Sequence, residues 1–313
     1  MACGCCVGAV TWTAHMMYLV SLFKAADSSN KVEKYSQYAS DNTWFSAYIV
    51  TYAIEFLCLS SAKLMVLDRL SVFSAPQGTG VPRRWTATRV VMAAVVLANA
   101  VGLAGNVASA THYLRAADAL RTLSAYYAAN STDTGTLQQF STLGLKETQL
   151  GGSILSVQTS CEVVVMLLIV VAFVVVGVLS ARRVSARLLG VDAASAEAAA
   201  GRAIRRRMLG TTAFIFATFL LRSVLSTITA VNLQLRDLDR DCPVSNSEKS
   251  IYCSTCRNVY SHITGWMVYT PVFQTTIVVI SSPFSLLVAL WGMTSNVTLQ
   301  LMKIRQSSAH EMN

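Results

Sequence analysis

Six long apolar stretches divide this 313-residue chain, at about 2–23, 43–66, 90–112, 160–181, 208–233 and 264–292. Each is long enough for a transmembrane helix, which needs roughly 20 apolar residues. Inside a bilayer the backbone has no water to bond, so each crossing is expected to be helical. The expected fold class is therefore all-α: a polytopic transmembrane helical bundle of six crossings, with 1–313 read as one transmembrane domain.

The charges between the stretches are sorted. The 63–89 loop, the 182–207 loop and the tail after 302 hold fourteen Lys and Arg residues against Asp68, Asp192, Glu197 and Glu311. The 24–42, 113–150 and 234–258 loops hold ten cations and ten anions. Cationic loops resist translocation, so the basic set is placed in the cytoplasm. Both termini are then cytoplasmic. The basic balance (pI ≈ 9.3) reads as this bias plus attraction to anionic lipid at the cytoplasmic face, not as nucleic-acid binding.

Two stretches need a decision. Residues 2–23 are read as a retained helix, because no cation precedes the apolar run as it would in a signal sequence. The last stretch is read as one crossing; two crossings there, seven in all, is the alternative. After Trp291-Gly292, residues Val297, Leu301 and Ile304 share one face beside Lys303 and Arg305. That pattern predicts an amphipathic helix lying in the cytoplasmic interface, within 293–313.

Small residues recur in the third stretch, where Gly102, Gly105 and Ala108 lie three apart and permit close helix approach. The fourth, Val163–Leu179, is nearly all aliphatic and suits a lipid-facing helix. Arg115–Ala129 is expected to continue the third helix beyond the membrane, with Leu114, Leu120, Leu123 and Tyr127 as its apolar face. The 193–207 stretch is expected to extend the fifth helix into the cytoplasm and end in arginines near the membrane.

Three charges stand outside the alternation: Glu55, Glu162 and Arg222. Glu55 and Arg222 fall near the middle of their stretches, where a charge costs a few kcal/mol and normally faces the bundle interior and pairs. An intramembrane polar pair is the expectation, with His15 as an additional polar group. Glu162 lies near the outer end of its stretch and is expected to reach interfacial water. Asp68 and Arg69 close the second helix as a candidate cytoplasmic latch, and Pro271 and Pro283 are candidate hinges in the last helix.

Cys242, Cys253 and Cys256 lie in the last external loop, where disulfides can form. Cys161 is the candidate thiol for the odd cysteine. Asn130 begins an N-glycosylation sequon on the side the topology places outside. Cys3, Cys5 and Cys6 are palmitoylation candidates. No Walker loop, G-x-S-x-G, H-E-x-x-H or metal-ligand cluster occurs in the sequence, so no enzyme, metal or cofactor is expected.

The second helix ends in Asp68-Arg69-Leu70, a basic loop follows at 182–207, and the last helix carries Ser282-Pro283-Phe284 ahead of an amphipathic segment. In this architecture the chain resembles rhodopsin-like seven-transmembrane receptors without their first helix. It departs from them in having Arg222 where such receptors carry a proline and no tyrosine at the expected spacing after Pro283. The resemblance implies a receptor- or sensor-like membrane protein whose basic cytoplasmic face meets a cytosolic or membrane partner. The alternatives are a channel or small-solute transporter subunit, with an oligomer enclosing the path, and a structural subunit of a larger membrane complex. The sequon and external cysteines imply the secretory pathway, with the plasma membrane as the default.

Overall fold

The computed structural model describes residues 2–73, 83–129, 133–188, 196–240 and 258–266, with a few single positions between 270 and 288. The chain runs α1 (Ala2–Asp27), α2 (Lys31–Phe73), α3 (Arg83–Ala128), α4 (Thr134–Leu188) and α5 (Ala196–Arg240). A short α6 covers 258–266, and no strand occurs among the described residues. Five of the helices are long and apolar enough to cross a membrane. The sixth expected crossing, its prolines Pro271 and Pro283, and the interfacial segment 293–313 fall largely or wholly outside the described residues, as do Asn130, Cys242, Cys253 and Cys256.

The helices overrun the expected stretches. α4 has 55 residues, about 80 Å at the α-helical rise, against a hydrocarbon core of roughly 30 Å. The expected loops at 24–42 and 113–150 are corrected to helix apart from short connections. Hydropathy alone marks only the part of a helix that lipid can cover. The remainder is held by packing between helices, and by caps.

The caps are explicit. Asn30 accepts the Val32 N–H at 3.0 Å through its side-chain oxygen, satisfying an orphan donor at the start of α2. Asp133 does the same for α4, accepting from the Gly135 and Thr136 amides at 3.1 and 3.3 Å. The Thr136 hydroxyl also donates to Asp133. These bonds, the Thr136 side chain first, hold the Asp133 carboxyl below its ordinary range.

The described residues group into two compact units, Met1–Leu59 with Val96–Val164 and Leu225–Gln274, and Ser60–Val95 with Val165–Val224 and Thr275–Asn313. In the first unit, α1 and α2 pack antiparallel. Ser21 hydrogen-bonds Ser40 at 3.2 Å, Tyr18 meets Phe45 with ring centres 4.9 Å apart, and Gly8 faces the Glu55 carboxyl.

The α3–α4 hairpin in that unit is built from close contacts whose residue numbers run in opposite order. Gln158 covers Gly102 and Gly105, so closely that a Cβ on Gly102 would sit 2.6 Å from the Gln158 amide nitrogen. The expected close approach at these glycines is therefore made by a glutamine. Ser109 donates to the Gly151 carbonyl at 2.7 Å, His112 meets Glu147 at 2.7 Å, Leu120 covers Gly144, and Tyr126 packs on Phe140. The second helix joins through Ser46, which donates to the Ala110 carbonyl at 3.1 Å, and through Ser124, which donates to the Val32 carbonyl at 2.7 Å. At the far end Tyr35 stacks on Tyr127, with Lys31 over the Tyr127 ring.

The extension of α3 beyond the membrane is thus present. Its buried face is Tyr113, Ala116, Ala117 and Leu123, while Leu114 is exposed. The expected face was off by part of a turn, because Leu was weighted over Ala. At a close helix contact the small side chain is the one that goes inside.

In the second unit α4 and α5 pack antiparallel around Met166, Ile169, Phe173, Ile215 and Phe219. The Phe173 and Phe219 rings lie 6.1 Å apart. Gly177 lets Thr212 approach so closely that a Cβ there would lie 2.6 Å from the threonine methyl.

Candidate functional site

Polar side chains in the first unit gather at one level of the bundle. The Gly8–Glu55, Gly102–Gln158 and Tyr52–Glu162 contacts each join a different pair of helices there. α1 supplies Thr11, fully buried, its hydroxyl bonded back to the Val7 carbonyl. α2 supplies Tyr52 and Glu55, three residues apart and therefore on one face. α3 supplies Asn99 and Asn106, 7% and 4% exposed, and α4 supplies Gln158 and Glu162.

The central contact joins Tyr52 and Glu162. The Tyr52 hydroxyl donates to the Glu162 carboxylate at 2.8 Å. Glu162 is 6% exposed. The expectation that it reaches interfacial water is corrected: Gln158, one turn before it, lies against Gly102 and Gly105 in the middle of the third apolar stretch, so this part of α4 is deeper than its hydropathy onset implied. Asn106 bonds the Gly102 carbonyl at 3.2 Å, so its polar head is turned along its own helix.

An aromatic ladder runs along α2 from this layer. Phe45, Tyr48, Tyr52 and Phe56 follow at three- or four-residue spacing, with successive ring centres 6.0, 5.9 and 6.5 Å apart. His15 of α1 packs on Tyr48 at 4.8 Å and on Trp12 at 5.4 Å. Among the described residues its Nδ1 is a buried atom with no hydrogen-bond partner. His15 thus stands two rings from Glu162 by way of Tyr48 and Tyr52, a set that the sequence offered only as scattered residues. The signal that could have found it was the spacing of the α2 aromatics.

Glu55 is 4% exposed and belongs to the first unit; Arg222 is 2% exposed and belongs to the second. Both expected midplane charges are therefore buried inside their units. Arg222 keeps company on α5 with Thr218 and Ser223, both buried. The latch residues Asp68 and Arg69 lie in the C-terminal turns of α2. Cys161, the candidate for a disulfide, is an exposed free thiol. Among the described residues no group of three His, Cys, Asp or Glu side chains is placed to hold a metal ion.

This arrangement can hold a carboxylate in a low-dielectric interior through a phenol that donates to it. Such a bond is charge-assisted, short and strongly directional. It ties α2 to α4 at a single point, so a change at either end of these helices bears on it. Comparison with known proteins adds no identity: no protein-family model, no curated protein and no solved structure matches the chain.

Proposed function

We propose that this chain is a multi-pass integral membrane protein of receptor- or sensor-like function, in which an external helical layer acts on a buried polar layer. The observation that carries the reading is continuity. α2, α3 and α4 each run unbroken from the polar layer to the distal end of the first unit. From Thr134 to Glu162 this is about 40 Å of uninterrupted helix. A rigid helix transmits displacement along its length, and the Tyr52–Glu162 bond is a discrete contact that such a displacement makes or breaks.

In this reading six crossings place both termini in the cytoplasm, as the charge sorting requires. The α3–α4 hairpin then faces the lumen or exterior, with Asn130 at its tip available for glycosylation in the secretory pathway. Glu55 and Arg222 form a second polar contact, and the basic cytoplasmic loops bind anionic lipid and a cytosolic partner. The role is non-catalytic. Buried Glu55 and Glu162 also support the channel or transporter reading, which requires ion or proton flux in proteoliposomes.

The test uses two spin labels on exposed positions of the hairpin, Ala125→Cys and Thr142→Cys, in full-length protein in lipid nanodiscs. Neutralising the buried group with Glu162→Gln is expected to broaden or shift the inter-label distance distribution. An unchanged distribution, with the protein folded, overturns the coupling. Membrane-impermeant maleimide reaching the hairpin only from the cytoplasmic side overturns the orientation.

A further inference from the structure

α4 carries an exposed apolar stripe that no packing inside the chain explains. Leu143, Leu150, Val157 and Val164 are 42, 46, 67 and 57% exposed, and Val171 and Val178 follow at 59 and 44%. These six positions recur every seven residues without a break. A strict seven-residue repeat on a helix is the signature of a left-handed coiled-coil seam, because a lipid-facing surface has no need of one. Leu167, Leu168, Val174 and Val175, all exposed, widen the inner half of the stripe at the spacings a seam uses.

Lipid cannot cover it all. From Leu143 to Val178 the stripe is about 52 Å long at the α-helical rise. The hydrocarbon core is roughly 30 Å. Fitting the whole length into it would need a tilt of about 55°, beyond the roughly 0–40° that transmembrane helices adopt. The surplus is an apolar edge in water, at the end that holds Leu143.

We infer that the α4 stripe is a homodimer seam, covered by the same stripe of a second copy of this chain. Copies inserted by one machinery share an orientation, so α4 meets α4 in parallel about a two-fold axis normal to the membrane. Valine at four of the six seam positions fits a two-stranded arrangement, which favours β-branched side chains there. Ten half-exposed aliphatic side chains, each giving up roughly 50 Å², bury about 1,000 Å² over the two copies, the size at which an interface becomes specific. The inference rests on insertion in a bilayer but not on the sensor reading, and its test reads association alone.

Cross-linking reads it directly. Cysteine replaces Leu150 or Val157, one at a time, in a full-length Cys161→Ser background, and membranes are treated with a mild oxidant. Both variants are expected to give a disulfide-linked dimer. Cysteine at Val101, equally exposed on α3 at 65%, is expected to give at least tenfold less. In mild detergent Leu150→Glu is expected to convert the dimer to monomer. A monomeric wild-type chain overturns the inference, and so does a dimer that cross-links at position 101 as readily as at 150 and 157. A Leu150→Glu chain that stays dimeric overturns it as well, because association then uses another face.

Discussion

The Tyr52 hydroxyl and the Glu162 carboxylate meet at 2.8 Å between α2 and α4, with Glu162 6% exposed. A hydrogen bond to a charged group contributes about 1.5–3 kcal/mol, and a carboxylate left buried without its donor costs more than the bond returns. Tyr52→Phe removes the donor and keeps the ring. It is expected to lower stability by about 2 kcal/mol, while Glu162→Gln, which retains an acceptor, costs less. Reversible unfolding of both variants and the double mutant in lipid checks this. Additive effects would show that the two side chains do not act on each other.

A cap at an exposed turn gives the pH dependence. Hydrogen bonds from Thr136 and Gly135 depress the Asp133 carboxyl. A group with a depressed folded value stabilises above its unfolded value, near 4 for aspartate, and loses that contribution as pH falls through the folded value. The start of α4 should therefore fray on acidification below about pH 4, and Asp133→Asn should remove that dependence while keeping the cap. Amide exchange of residues 134–137, followed against pH, reports it.

Two glycines of the second unit predict opposite outcomes. A Cβ on Gly177 meets the Thr212 side chain at 2.6 Å, whereas one on Gly210 meets nothing within 4 Å. Gly177→Ala is expected to destabilise by about 1–3 kcal/mol through overpacking. Gly210→Ala should stabilise by roughly 0.5–1 kcal/mol through reduced chain entropy. Thermal unfolding of the pair, side by side, decides it.

The proposed Glu55–Arg222 contact predicts non-additivity. Glu55→Gln and Arg222→Gln should each reduce folded yield, since each leaves a buried charge uncompensated, and breaking such a pair costs about 3–5 kcal/mol. The double mutant should recover part of the loss. A double mutant no better than either single argues against a direct salt bridge.

Hydropathy and charge made the crossings legible, because the bilayer imposes one requirement on every one of them. α1 through α5 each contain an expected stretch. What hydropathy could not show is the length of helix beyond the membrane. Ala116, Ala117, Gly144 and Gly151 carry that packing, and small residues look neutral on any apolar scale. The buried layer was half legible. Glu55, Arg222 and Glu162 stood out because a charge in an apolar run is costly. Tyr52 did not, since a tyrosine in a membrane helix is unremarkable until its hydroxyl is seen to face a carboxylate. The α4 repeat was missed because an all-aliphatic stretch conceals its period until exposure separates one face from the others.

Amide hydrogen exchange of the α3–α4 hairpin tests the coupling claim most directly. Full-length wild type and Tyr52→Phe are compared in lipid nanodiscs over residues 113–128 and 134–150. The account predicts that losing one hydroxyl at the polar layer speeds exchange throughout the hairpin, by on the order of tenfold where about 1.4 kcal/mol is transmitted. Faster exchange confined to the turns around positions 52 and 162, with the hairpin unchanged, would contradict it.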